Sequence, residues 1–191
     1  MKKYAIWIVL GIIIIWAWTG YNGLISSRET VKTAWANVET QYQRRSDLIP
    51  NLVSTVKGAA DFEKGTLEAV IEARANATKV TINADDITPE KLAQFQAAQQ
   101  QVSGALGRLL AVAENYPQLK AVDAFRDLQS QLEGTENRIT ESRRQFNEAA
   151  KGYNTSRQKF PRNLLAGAFG FKEYPYFQAD AGTEKAPKVQ F

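Results

Sequence analysis

Three groups of side chains in this sequence have types and spacings that could support chemistry. Residues 58–66 read GAADFEKGT, the composition of a phosphate-cradling loop. Such a loop needs Gly-Lys-Ser/Thr after its spacer and a strand in front. The order here is Lys64-Gly65-Thr66 with no strand in front, so a phosphate site is excluded. Asp85 and Asp86, with Asn83, offer oxygen ligands for a cation. A calcium loop needs many more oxygens in register, and a solvated loop accounts for these three. The third group is polar and lies along otherwise apolar helical faces: Arg44, Arg45, Asn51, Glu133, Glu136, Asn137, Arg138, Asn147 and Asn154. Arg45 falls where the apolar seam expects a hydrophobic residue. A buried charge must be paired, and such pairs fix register more often than they add stability. Arg45, with Arg44, is therefore expected to pair with Glu133 or Glu136 across the fold, in a network with Asn51 and Asn147. A solvated face and a ligand or partner site are the competing readings.

Composition removes most catalytic alternatives. The chain of 191 residues contains neither Cys nor His. There is thus no disulfide framework, thiolate metal site or cysteine nucleophile. The commonest general base and metal ligand is missing too, and no Gly-x-Ser-x-Gly elbow occurs. No cofactor is expected. Of 24 basic residues, Lys2 and Lys3 precede the apolar start, which leaves 22 against 20 acidic residues. Sequence-independent nucleic-acid binding needs a concentrated basic face, so no nucleic-acid partner is expected.

The elements that must position these groups begin with a membrane segment. No charge occurs between Lys3 and Arg28, and residues 4–18 read YAIWIVLGIIIIWAW. About 20 such residues in a helix span roughly 30 Å, the hydrocarbon thickness. Tyr4 and Trp7 near one end, and Trp16, Trp18 and Tyr21 near the other, suit the two interfaces. A cleaved signal peptide would have a shorter apolar core followed by small residues, and Trp16-Ala17-Trp18 is bulky. A retained anchor over residues 4–25 is expected after a short basic stretch, residues 1–3. Lys2 and Lys3 abut the membrane, which favours the amino terminus inside and the soluble part outside the cytoplasm; the cytoplasmic alternative stays open.

Downstream, Val31, Trp35, Val38, Tyr42, Ile49, Leu52 and Val56 alternate by threes and fours, the pattern of one helical face with a heptad seam. Pro50 interrupts that run and predicts a kink. Thr88-Pro89-Glu90 after the VTINADDIT loop reads as a helix start. Leu92, Phe95, Val102, Leu106 and Leu109 then mark one helix, and Val122, Phe125, Leu132, Ile139, Phe146 and Tyr153 the last. A single helix from Arg28 to Lys79 would be roughly 78 Å long, too long for its neighbour of roughly 40 Å to cover. A break near Gly58 gives pieces of roughly 45, 28, 40 and 58 Å. The expected fold is all-α: the transmembrane helix, then an antiparallel up-down four-helix (or three-long-helix) bundle over residues 26–157, with an irregular aromatic tail over residues 158–191.

Several long blocks resemble the LemA family of bacterial membrane proteins. They are Tyr21-Asn22, AWANVETQYQRRSDLIPNLVSTVKG at residues 34–58, NYPQLKAVDAFRDLQSQLEGTENRI at 115–139, Phe146-Asn147, Tyr153-Asn154 and FPRNLLAGAFGFKEYPYF at 160–177. Phe146 stands where the family pattern has Tyr. The resemblance implies a single-pass anchor and an antiparallel helical bundle, and little about activity. The family name is also attached to a sensor histidine kinase, which a chain without His cannot be.

The tail block interleaves aromatics with Gly and Pro and cannot be one long helix. Phe169, Phe171, Tyr174, Tyr176 and Phe177 must be buried against something, and they form a candidate interaction surface together with the terminal Phe191. Docking on the bundle is the first expectation; the membrane interface and a partner or second subunit are the others. An apolar residue before a free carboxylate, as at Phe191, is also what PDZ-type domains capture. The function expected is a non-catalytic membrane scaffold, adaptor or accessory protein. Its partners would be the lipid bilayer, other membrane or envelope proteins, and a homo-oligomer. An enzyme with an unrecognised carboxylate site and a ligand-sensing bundle are the alternatives.

Overall fold

The computed structural model describes residues 2–58 and 63–178. Helix α1 (Lys2–Lys57) is followed by α2 (Lys64–Lys79), α3 (Pro89–Ala113), the short α4 (Pro117–Lys120), α5 (Asp123–Gln158) and the short α6 (Arg162–Ala168). No strand occurs among the described residues. The segment expected as an anchor and the first helix of the bundle are one element: α1 runs 56 residues without interruption and carries Pro50 inside it. Proline deletes one backbone donor, and packing of Ile49, Leu52 and Val53 on both sides of it holds the helix together. Its first part is apolar and exposed, and it is the one described helix long and apolar enough to cross a membrane.

From there the chain follows the expected up-down order. α1 ends at Lys57 and α2 descends antiparallel to it, with the Arg74 Nε donating to the Ser46 carbonyl at 2.9 Å. The loop after α2 reaches as low as Lys32, whose ammonium lies 2.6 Å from the Asp85 carboxylate. Thr88 caps α3 by accepting from the Lys91 amide at 3.3 Å, with Pro89 at the first helical position. α5 then returns along α1 for most of its soluble length. The bundle has three long helices and a second arm made of the short α2 plus its loop. The last helix is shorter at its start than its periodicity predicts, because Pro117 opens the separate turn α4 and Val122 is extended.

Two apolar cores stack along the bundle. The lower one joins Leu24, Val31, Trp35, Val38 and Tyr42 of α1 to Phe95 of α3 and Phe146 and Tyr153 of α5. The upper one joins Ile49, Leu52 and Val56 to Val70, Val102, Leu109, Phe125 and Leu132. Arg45 lies between them in the seam.

The tail belongs to the lower core, and part of it is helical. After Gln158 the chain turns at a cis Phe160-Pro161 peptide and α6 descends along α1. A Cβ on Gly23 would lie 3.5 Å from Arg162, and one on Gly20 would lie 2.8 Å from Leu165. The tail is not one long helix, as its Gly and Pro content implies, but the seven residues of α6 fit between Pro161 and Gly170. Gly170 ends α6 with φ of 68°, a left-handed conformation that glycine adopts without a Cβ penalty. The Phe171 amide donates to the Ala166 carbonyl at 2.9 Å, which closes the helix end. The chain then climbs in extended form to Gln178.

Candidate functional site

Among the described residues Arg45 supplies the one buried cation. It sits in the seam of α1, where the three-four alternation turns residues inward, so its guanidinium is largely removed from water. Its side chain is 2% exposed. Nη1 donates to Glu136 Oε1 at 2.6 Å and to Ser103 Oγ at 2.7 Å. Nη2 donates to Gln99 Oε1 at 2.5 Å and to the Gln99 carbonyl at 3.1 Å. The guanidinium also lies over the Tyr42 ring at 5.1 Å, a geometry in which the ring face attracts a cation. One residue of α1 thus ties α3 to α5, and every donor used here meets an acceptor.

The other residues expected in that network lie elsewhere. Arg44 and Asn51 are exposed on α1. Glu133 is exposed and accepts from Gln129 at 3.2 Å. Asn147 works one layer lower, on the tail. Gln99 and Ser103 were missed, because polar residues on α3 read as an outer face. The available signal was the three-four spacing of Gln99 from Phe95 and Val102 of the core; Ser103, on the exposed side, gave none.

A second polar construction holds the tail. Asn154 donates to the Tyr174 carbonyl at 2.8 Å and accepts from the Tyr174 amide at 3.1 Å. Asn147 does the same for Phe177, at 3.0 and 2.9 Å. Seven residues of helix rise about 10.5 Å and three extended residues span about 10 Å, so the two amides match two backbone positions of the tail. Below them, towards α6, the Tyr153 hydroxyl donates to the Lys172 carbonyl at 2.9 Å and Arg157 Nε to the Phe171 carbonyl at 2.7 Å. Burial pushes the Tyr153 and Tyr174 hydroxyls up from the ordinary phenol range.

Of the expected tail surface, Phe171, Tyr174 and Phe177 are therefore buried. Phe177 stacks on Trp35 with centroids 6.1 Å apart and meets Phe146 edge-on at 5.5 Å. Tyr176 and Phe169 remain exposed, and Phe191 lies outside the described residues. Of the anchor aromatics, Tyr4, Trp7 and Trp18 are exposed, whereas Trp16 and Tyr21 pack against the lower core. Tyr21 meets Phe169 and Phe171 edge-on at 5.0 and 5.7 Å.

Little in this arrangement is poised for catalysis. Asp85 and Asp86 are each engaged by a lysine, Lys32 and Lys91. The ammonium groups hold both carboxyls below the usual range. Among the described residues no three acidic side chains converge as metal ligands do. A cleft of about 140 Å³ opens between α1, α2 and α3, lined by Glu39, Arg45, Ser46, Arg74, Phe95 and Gln99. Burial pushes the Glu39 carboxyl up; the Trp35 indole opposes this electrostatically, although its N–H forms no hydrogen bond of good geometry.

Fold and polar groups together define an α-helical bundle continuous with a long apolar helix, with Arg45, Asn147 and Asn154 spent on internal connections. The chain belongs to the LemA family, whose family model matches residues 34–191. It is 30% identical to magnetosome protein MamQ 2 of Paramagnetospirillum magneticum, over 83% of this chain and 64% of that protein. It is 29% identical to magnetosome protein MamQ of Magnetospirillum gryphiswaldense, over 82% of this chain and 64% of the relative. The protein LemA of Metamycoplasma hominis shares 22% identity, over 83% of this chain and 68% of its own length. The chain spans just under two thirds of the length of the magnetosome relatives.

Proposed function

We propose that the chain is a non-catalytic scaffold which holds a rigid helical bundle at a fixed height and angle on a bacterial cell membrane, and presents it to membrane or envelope proteins or to a second copy. The observation that carries this reading is the continuity of α1 from its exposed apolar segment to Lys57. A flexible linker would let a bundle tumble; a helix shared by anchor and core does not. The relatives are named for a structure, the magnetosome, and not for a reaction, which agrees with an architectural role. The test is photo-crosslinking in intact cells from exposed α3 and α5 positions, with and without four glycines inserted between Ser26 and Ser27. Defined crosslinks that vanish on insertion support a rigid scaffold; crosslinks indifferent to the insertion refute it. A single Cys at exposed Gln94, in a chain with none, reports the side. Labelling by a membrane-impermeant maleimide in intact cells is the outcome for a bundle outside the cytoplasm.

One observation favours a second reading, an enzyme with a carboxylate site: the raised Glu39 carboxyl at the lip of the cleft, a pattern shared with catalytic acids. A turnover abolished by Glu39→Gln, in a variant of unchanged stability, would establish it.

A further inference from the structure

The turn around α6 leaves apolar side chains uncovered at a particular depth. Phe160 is 79% exposed, Leu164 60% and Phe169 62%, on a segment whose other residues, Leu165 and Ala166, are buried against α1. Arg162 faces Gly23 and Leu165 faces Gly20. Both pairs step by three in opposite directions, so α6 runs down α1 towards the exposed apolar end, and the chain climbs again from Phe171 to the Trp35 level. The lowest point of this loop is its tip at residues 167–170.

From Tyr4 to Gly20 the helix rises about 24 Å, and to Gly23 about 28 Å. If Tyr4 marks one edge of a hydrocarbon layer roughly 30 Å thick, Leu164, Leu165 and Phe169 lie within its far edge. Arg162, level with Gly23, then lies at that edge, with its guanidinium within reach of the headgroups. Beside it runs an open groove of about 460 Å³ between the end of α5 and α6, lined by Lys151, Lys159, Arg162, Thr155, Ser156 and Glu148. Glu148 is paired with Arg144, and Arg162 Nη1 donates to Ser156 Oγ at 2.8 Å. The Lys151 and Lys159 ammonium groups have no partner among the described residues. Cations above, apolar side chains below and an adjoining helix of membrane-spanning length are the features by which proteins seat on anionic bilayers.

We propose that residues 162–169 form a second membrane contact, which sinks Leu164 and Phe169 into the bilayer interface and takes an anionic lipid phosphate in the groove of Lys151, Lys159 and Arg162. This rests on the membrane-anchor reading of α1. Two contacts, one spanning and one interfacial, fix the bundle's rotation about the anchor as well as its height. The span alone would leave that rotation free.

The test uses the full chain with single Cys residues at Val9, Leu164 or Gln94, each carrying an environment-sensitive nitrobenzoxadiazole, in lipid nanodiscs with or without phosphatidylglycerol. All three positions are exposed in the protein, so labelling leaves the core intact. The expected result is that aqueous iodide quenches the Gln94 label severalfold more than the Val9 and Leu164 labels. Shielding at Leu164 is stronger with phosphatidylglycerol and falls when Lys151, Lys159 and Arg162 are replaced by Gln. If Leu164 is quenched like Gln94 while Val9 stays shielded, the second contact is refuted and the anchor stands. If Val9 is quenched too, the anchor reading itself fails. Shielding at Leu164 that ignores both lipid charge and the Gln replacements refutes the phosphate groove.

Discussion

Replacing one or the other partner of the Arg45–Glu136 pair should have unequal costs, and the inequality follows from burial. Arg45 is 2% exposed whereas the Glu136 side chain is 44% exposed. In Glu136→Leu the guanidinium stays sealed between two apolar cores, with Gln99 and Ser103 as neutral acceptors and no counter-charge. Stranding a buried charge costs about 3–5 kcal/mol, and the two remaining acceptors put this case at the lower end, about 3 kcal/mol. In Arg45→Met the stranded group is Glu136, which turns into water. An apolar side chain of similar length then joins the two cores, and such replacements are often close to neutral, so about 1 kcal/mol is expected. The double variant should behave like Arg45→Met alone, a coupling of about 2–3 kcal/mol where independent sites would add within about 0.5 kcal/mol. The assay is unfolding of the full chain in mild detergent, by guanidinium chloride and by heat. At about 2–4 °C per kcal/mol for a chain of this size, Glu136→Leu should lower Tm by about 6–12 °C and Arg45→Met by only a few degrees. If Arg45→Met proves the more damaging single change, or the double variant shows the sum of both, the pair is not a buried charge compensated across the bundle.

Three further outcomes follow from the same geometry. Asn154→Ala leaves the Tyr174 N–H and C=O without partners in a buried place, at about 1–3 kcal/mol each. The tail should undock while the bundle stays folded, read as lost hydrogen-exchange protection and new protease cuts at residues 171–178; unchanged protection would refute the clasp. At Gly20 the nearest atom to an added Cβ is Leu165 Cδ1 at 2.8 Å, the free end of a flexible side chain. Gly20→Ala should therefore be mild and Gly20→Leu should cost about 1–3 kcal/mol by overpacking; equal effects would show that α6 does not rest on α1. The Glu39 carboxyl is raised by burial, so the folded state favours its neutral form. That contribution is present in full below the ordinary value of 4.5 and is lost as pH rises through the raised one. Glu39→Gln should be neutral at pH 4 and raise Tm at pH 7, by little because the residue remains open to solvent; a lower Tm at pH 7 would reverse the sign argued here.

How much of this was legible depended on whether the signal was local. The seam from Val31 to Val56 and the Thr88-Pro89 start are local patterns of periodicity and capping, and they stand in the structure where the sequence puts them. Arg45 could be singled out because it violates a periodic pattern, which is also local. Its partners could not be fixed: Glu133 and Glu136 are neighbours on α5, and only the rotation of that helix against α1 chooses between them. Gln99 was harder still, since its carbonyl and its amide are both used and neither belongs to any motif. The continuity of α1 was not legible in the sequence, which reads as an anchor over residues 4–25 and a bundle from residue 26. In the structure Ser27 Oγ donates back to the Gly23 carbonyl at 2.9 Å, and Gly20 and Gly23 are small because α6 packs on them. Residues that look like breakers in isolation are here the room left for another element.

The tail shows why that distinction bears on function. Its aromatics gave no periodicity from which to choose among a bundle, a bilayer and a partner. The structure divides them: Phe171, Tyr174 and Phe177 complete the lower core, while Leu164 and Phe169 face outward on the turn that packs near Gly20 of α1. Asn147 and Asn154 make this division obligatory, because clasping the backbone at Tyr174 and Phe177 fixes the register of the climbing strand. Fixing that register sets how far down the α6 turn must reach. A chain that only needed its aromatics buried could have ended α6 higher on α1. Two asparagines one heptad apart, glycines at positions 20 and 23 and a left-handed Gly170 instead bring an apolar turn to the height where the apolar anchor ends. The same constraints that finish the core thereby leave its uncovered edge where the proposed second contact requires it.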